Sequence, residues 1–277
     1  LFTTHATVMG RCIAGNHLPL YTDLTKFNAD ELARQFNVVA KHSIEKAAAA
    51  YHDAFVTVSD ITANECKFLL GREPDCITPN GFENDFVWTG EEYDAKRAEA
   101  RKTMISVAEA CLGEKFAEEP LIVGTSGRYE FRNKGIDVFI ESLKKLAASP
   151  RLKRQVLAYI TVPAANRGPR ADLQAHLADP SKPIDGGQYK YTTHYLEYQS
   201  SDPIVNALNS SILTTPDSKV KVIFVPTYLN KADGIFGKDY YELLVGMDMT
   251  VFPSYYEPWG YCLLYTSPSP RDGLLSR

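Results

Sequence analysis

The sequence is poor in cysteine and holds no cysteine pair. Five residues, Cys12, Cys66, Cys76, Cys111 and Cys262, are scattered over 277 positions with no CxxC spacing. That excludes a disulfide framework and a thiolate zinc site, and reduced thiols of a cytoplasmic protein are the expected state. No run approaches the ~18 apolar residues that a membrane span needs, so no membrane association is expected. Positive charge is not in excess: 30 Lys and Arg face 34 Asp and Glu, a net charge of -4. This balance speaks against a general nucleic-acid or membrane-surface role. Neither GxGxxG nor GxxxxGK(S/T) occurs. His17, His42, His52, His176 and His194 show no metal-ligand spacing, and no HxxE-type pair falls on a helix, so no metal is expected. The chain has no internal repeat. It has no initiating Met either; Leu1 to Thr4 already reads as a buried strand, so the chain is expected to begin inside a domain, with no targeting signal to read.

What is present is a regular alternation. The hydrophobic content of 44% is that of an ordinary folded protein. Short apolar runs at 1–6, 54–58, 76–78, 121–124, 156–162, 220–225 and 249–252 read as strands. Between them, Lys41–Tyr51, Ile61–Leu70, Glu91–Leu112, Lys134–Ala148 and Tyr240–Val245 read as helices. Ser59 is positioned to cap the second of these, and Ile136, Phe139, Ile140, Leu143 and Leu146 recur at helical spacing in the fourth. Strand–helix alternation predicts a parallel α/β sheet. Two such units are expected, joined between Gly81 and Glu119, with a cleft between them. Pro163–Asp217 is weakly patterned, and Asp179–Tyr191 reads as a loop.

Four segments end a predicted strand with unusual polar residues. THATVMGR carries His5 and Arg11. SGRYEFRNKG carries Arg128, Glu130, Arg132 and Lys134. The span from VPTYLN to GKDYYE carries Tyr228 and Tyr240. FPSYYEPWGY carries Glu257, placed at the carboxyl end of the last strand, where an open α/β sheet binds ligands. In SGRYEFRNKG the glycines allow close backbone approach, and one guanidinium with one ammonium suits a diphosphate; a solvated charged loop is the competing reading. A carboxylate beside Trp259 and Gly260 fits a sugar-nucleotide site, whereas Glu257 on a surface turn with Trp259 and Tyr261 in the core is the plainer one. His5 at a strand end fits a structural role as well as a catalytic one.

Taken together, FTTHAT..GR, HSIEKAAA, TVSDITANE, PNG, GRYEFRNKG and FPSYYEPWGY resemble, in order, segments of glycogen synthases of the animal and fungal type, glycosyltransferase family 3. The resemblance runs from Leu1 to Tyr261 and fades between Asn166 and Asp217. It implies a GT-B fold, two Rossmann-like domains facing across a cleft, both incomplete here. Residues 1–83 would be the C-terminal part of the N-terminal domain. Residues 84–261 would be the N-terminal part of the C-terminal, nucleotide-binding domain. The implied activity is retaining transfer of glucose from UDP-glucose to the non-reducing end of an α-1,4-glucan such as glycogen, without a metal or other cofactor. By similarity Arg11, Arg128 and Lys134 hold the donor diphosphate, and Tyr240 and Tyr228 pack on the uracil ring. Glu257 and His5 serve the catalytic site, with Trp259, Gly260 and Asn80 lining it. A homo-oligomer of the full-length protein is possible on the same grounds.

The sequence also departs from that family. A second glutamate is expected eight residues after Glu257, where Tyr265 stands. CLLYTSPSPRD resembles translated sequencing-library adapter, so residues 262–277 are expected to be non-native, and the chain a fragment truncated at both ends and inactive alone. Two other functions stay open: a GT-B transferase of the starch or sucrose synthase kind with another donor, and a non-catalytic glycan-binding scaffold.

Overall fold

A computed structural model describes residues 1–81, 88–185, 187, 189–209 and 211–260, and its chain divides into two compact units, Leu1–Asn84 with Ser254–Arg277 and Asp85–Pro253.

In the first unit, β1 (Phe2–Thr4), β2 (Phe55–Thr57) and β3 (Cys76–Ile77) form a parallel sheet in that order. Parallel neighbours need a crossover. Between β1 and β2 it contains α1 (Val8–Gly15), α2 (Ala29–Gln35) and α3 (Val39–Tyr51); between β2 and β3 it contains α4 (Asp60–Glu65). Ser59 caps α4 as predicted, accepting from the Thr62 amide. The predicted helix 61–70 is not uniform, however. After Glu65 it widens into a π-helical turn, Cys66–Leu70, and stops at Gly71 with φ +80°. The sequence reading assigns neither α1 nor α2, although α2 carries a start signal: Asn28 precedes Asp30 and Glu31, and its side chain accepts from the Glu31 amide. VMGRCIAG contains two glycines and has poor intrinsic propensity. Tertiary burial decides the matter: Met9, Ile13 and Ala14 pack with Leu20, Leu24, Ala29, Ala33, Leu69 and Tyr256. Thr7 then caps α1 by accepting from the Gly10 amide.

The second unit runs α5 (Gly90–Leu112), β4 (Leu121–Ser126), α6 (Ile136–Ala147), β5 (Val156–Thr161), β6 (Asn166–Pro169), α7 (Ala171–Ala178), β7 (His194–Leu196), α8 (Pro203–Asn209), β8 (Val220–Val225), α9 (Tyr240–Leu244) and β9 (Met249–Thr250). Its parallel sheet has the order β8-β5-β4-β9, and β6 and β7 make a separate antiparallel ribbon. Both faces are covered. Val156, Ala158 and Ile160 of β5, with Val220, Val222 and Phe224 of β8, pack under Ile136, Phe139, Ile140 and Leu143 of α6 and Ile204, Val205 and Leu208 of α8. The alternate residue Tyr159 points to the other face, where its hydroxyl donates to the Met104 carbonyl of α5 at 2.6 Å. This two-sided burial is why β5 reads as a continuous apolar run and β8 as one broken only by Lys221, which is buried and ion-paired with Glu114 at 2.7 Å.

The weakly patterned stretch 163–217 contains β6, α7, β7 and α8, and the described residues of the expected loop Asp179–Tyr191 carry no helix or strand. These elements are short and interrupted by Gly168 and Pro169, so periodicity cannot reveal them. Residues 82–87, 186, 188, 210 and 261–277 lie outside the described residues, and with them fall Tyr261, Tyr265 and the expectation of a non-native tail. Among the described residues no helix is long and apolar enough to cross a membrane.

Candidate active site

The order in which the chain crosses the second sheet reverses once, although all its strands run parallel. From β4 the chain proceeds outward through β5 to β8, then returns to place β9 on the other side of β4. Ligands of open parallel sheets bind at the carboxyl ends of strands beside such a reversal. The segment there is Gly127–Gly135, which follows β4. Gly127 has φ +144° and Gly135 φ +65°. An added Cβ on Gly127 would sit 3.9 Å from Cγ and Cδ of Lys134, so the lysine stem folds back along the loop. Arg128 is exposed and Lys134 half-buried. Tyr240, the first residue of α9, shares a 2.6 Å hydrogen bond with Ser126 at the end of β4. The structure therefore brings Arg128, Lys134 and Tyr240 to one strand end. Arg132 is engaged differently, in an ion pair with Asp137 at 2.9 Å. Asn133 donates to Glu130 at 3.1 Å, so part of this charged segment builds its own loop.

Tyr228 follows β8 and is 77% exposed. It lines a cavity of about 460 Å³ with Tyr129, Pro163, Asn166, Tyr198 and Asp202. Tyr129 donates to Asp202 at 2.6 Å, fixing that wall. Nothing in the sequence pattern marks this cavity, because most of its lining comes from the stretch 163–217.

The first unit carries the remaining candidates. His5 is exposed just past β1, and Asn80 is half-buried past β3. Arg11 belongs to α1 and is half-buried; its guanidinium lies 5.6 Å from the ring centre of Tyr256. Trp259 is half-buried, and Gly260 is buried with φ +86°. Glu257 is half-buried, with Ser254 Oγ 3.5 Å from Oε2. The predicted strand 249–252 ends at Thr250, since Pro253 has no N–H to donate. Glu257 thus stands seven residues beyond β9, not at its end, and packs in the first unit.

Sequence reasoning misses the residue that organises this region. Glu65 is fully buried. Its Oε2 accepts from Thr7 Oγ1 at 2.7 Å and from the Tyr256 hydroxyl at 2.9 Å, and Oε1 lies 3.3 Å from the Tyr21 hydroxyl. Burial pushes its carboxyl up to about 7, against the pull of those three hydrogen bonds, with Glu45 adding to the rise. Glu45, raised by its own burial, accepts from the Val8 amide at 2.9 Å and is lowered in part by that bond and by the Arg11 charge. A signal did exist. Glu65 lies three residues after Thr62 and four before Leu69, so helical spacing puts it on the buried face. Among the described residues no three His, Cys, Asp or Glu side chains gather to hold a metal ion.

The fold and these side chains define a parallel α/β protein whose polar residues collect at strand carboxyl ends. Its family follows from direct comparison: the glycogen synthase family model matches residues 1–172 and 189–267, and the chain belongs to that family. The match crosses the boundary expected at 262. It is interrupted only between 172 and 189, within the stretch where the resemblance fades. The chain is 29% identical to a glycogen [starch] synthase of Neurospora crassa, with 99% of this chain and 48% of that protein aligned. It is 30% identical to glycogen [starch] synthase isoform 2 of Saccharomyces cerevisiae (94% and 46%) and 27% identical to the human liver glycogen [starch] synthase (99% and 47%). The chain thus spans about half the length of the curated relatives it matches.

Proposed function

We propose that this chain carries the donor site of a retaining glucosyltransferase that moves glucose from UDP-glucose to the non-reducing end of an α-1,4-glucan. The observation that carries the reading is the grouping of Lys134, Arg128 and Tyr240 at the end of β4, beside the strand-order reversal, in a chain of the glycogen synthase family. The two units would be the facing Rossmann-like halves of a GT-B fold. Transfer breaks the bond between the sugar C1 and the diphosphate oxygen and forms one from C1 to a glucan hydroxyl, whose proton leaves. Positive charge develops on C1 and negative charge on the departing diphosphate. Cations at the diphosphate and a carboxylate at the sugar stabilise both, which assigns the first task to Arg11, Arg128 and Lys134 and the second to Glu257, with His5 shaping the sugar pocket. Tyr240 and the cavity beside Tyr228 would take the base; Trp259, Gly260 and Asn80 would line the cleft. No metal or cofactor is invoked. The family reading carries a cytoplasmic setting and a glucan partner, and the four described cysteines are all free thiols.

Calorimetric titration of the chain with UDP-glucose, UDP and ADP-glucose tests the reading. Binding of UDP and UDP-glucose in preference to ADP-glucose is expected. Lys134→Ala and Arg128→Ala should each weaken it about 10- to 100-fold, the loss of one charge-assisted hydrogen bond. Equal affinity for all nucleotides, or none for any, would remove the proposal.

A further inference from the structure

The two residues that flank Glu257 are both tied to the same short helix. On one side, Tyr256 donates its hydroxyl to Glu65 Oε2 at 2.9 Å. On the other, the Pro258 carbonyl accepts from Ser59 Oγ at 2.7 Å. Ser59 is the N-cap of α4 and Glu65 its last residue. A third tie comes from the turn between β1 and α1, which carries His5 and leads into Arg11. There the Thr7 amide donates to the Tyr256 hydroxyl at 3.1 Å, and Thr7 Oγ1 donates to the same oxygen of Glu65 at 2.7 Å. Thr7, Glu65 and Tyr256 are each 1% exposed or less.

A carboxyl group sealed in this way is costly, and a well-packed apolar residue would usually serve stability as well or better. The bonds it makes are directional, and they converge on one phenol. Other groups facing it are Tyr21 from the segment after α1, Glu45 from α3 and its neighbour Cys66. The guanidinium of Arg11 lies over the Tyr256 ring. Tyr21 also feels the Glu257 charge, whereas Tyr256 is joined to Glu257 through the backbone.

We propose that Glu65 and Ser59 are positioning residues: α4 fixes the place of Glu257 by holding Tyr256 and Pro258 on either side of it. This inference rests on the reading of Glu257 as the carboxylate beside the transferred sugar, and it adds the device that aims it.

Trp259 supplies a local probe. The chain has two tryptophans, so Trp88→Phe leaves only this reporter. In that background the test compares Tyr256→Phe, Ser59→Ala, Glu65→Ala and Glu65→Gln by Trp259 emission and by amide hydrogen exchange of residues 254–260. Tyr256→Phe and Ser59→Ala should each shift the emission and speed exchange in that segment about tenfold or more, while α3 keeps its protection. Glu65→Gln retains an acceptor for the phenol and should restore most of what Glu65→Ala loses. If Glu65→Ala does not fold, Tyr256→Phe, which removes one oxygen and leaves no large void, decides alone. Unchanged emission and exchange in both Tyr256→Phe and Ser59→Ala would overturn the proposal. So would loss of protection spread equally through α3.

Ligand titration then separates the two readings. Tyr256→Phe should weaken UDP-glucose binding severalfold and leave UDP binding as it was, because the disturbed group attends the sugar. If the parent protein binds neither, the donor-site reading fails, while emission and exchange still decide whether α4 holds the segment.

Discussion

Gly135 lies directly beneath Pro253. With φ at +65° it caps α6 in the left-handed conformation, and a Cβ there would fall 2.5 Å from the Pro253 carbonyl carbon and closer still to its oxygen. The close approach joins the loop after β4 to the end of β9, the two sides of the strand-order reversal. Gly113 offers a matched control: it ends α5 at φ +69°, and an added methyl there would meet nothing within 4 Å. Gly113→Ala should therefore cost only the left-handed strain, about 1 kcal/mol. Gly135→Ala adds an overlap with backbone that has no rotamer to escape into, and should cost about 2 kcal/mol more. Urea unfolding of both variants checks this; equal losses would mean that the contact with Pro253 is not tight.

Stability should fall as pH rises through the window set by Glu65. Its folded carboxyl titrates near 7 and its unfolded one near 4.5. Between those values the folded state binds more protons, so the contribution is complete below pH 4.5 and disappears on passing 7. The full effect is roughly 3 kcal/mol. Buried His194 works in the opposite sense. Burial lowers its affinity for a proton, and its contribution is lost as pH drops below its ordinary range. The two are separated by Glu65→Gln, which should remove the decline between pH 5 and 8 and leave the acid limb. Identical denaturation midpoints against pH for the parent and Glu65→Gln would contradict the assignment.

Gly10 is where Glu65 is admitted. An added Cβ would lie 2.7 Å from Thr7 Oγ1, 2.9 Å from Glu65 Cδ, and nearer than either to Oε2. Alanine favours a helix by about 1 kcal/mol over glycine, so propensity alone predicts that Gly10→Ala stabilises α1. Overpacking a buried carboxyl that already holds three hydrogen bonds should win, with a net loss of about 1–3 kcal/mol. A gain in thermal midpoint would show that Glu65 can withdraw without loss.

The strands were legible because burial on both faces favours runs rich in β-branched and apolar residues: Val220–Val225 is the predicted range without change, and Val156–Val162 is one residue too long. Helices with alanine or a clean apolar stripe, α3 and α6, were legible for the same kind of reason. Invisible to periodicity were α1, whose two glycines serve packing rather than propensity, and the short elements of 163–217. The candidate site was legible by residue type at Arg128, Lys134 and Tyr240, which gather at one strand end. Glu65 was hidden, since a charged residue in a helix is ordinarily solvated and only its spacing from Thr62 and Leu69 marks it as buried. Tyr256 was hidden by its neighbours, as the more conspicuous Glu257 and Trp259 draw the chemistry.

Asp248 should prove the most acid-sensitive anchor of the second sheet. It precedes β9 and accepts from the Ile122 amide at 2.8 Å, from Arg101 at 2.9 Å and from Arg97 at 2.6 Å. The same two arginines reach the carbonyls of Val245, Gly246 and Met247, so α5 grips the whole connection from α9 to β9. Burial pulls the Asp248 carboxyl upward, but the Ile122 amide and the arginines outweigh it and hold the group below its ordinary value. A carboxyl lowered on folding contributes stability that is present above its unfolded value and lost as pH falls through its folded one. Asp248→Asn keeps the shape and one acceptor but no charge. It should cost about 1–3 kcal/mol at pH 7. The gap to the parent protein should narrow as pH falls below the ordinary carboxylate range, where the parent's own carboxylate begins to take up a proton. A gap that stays constant from pH 7 to 3 would show that shape, not charge, holds β9 in place.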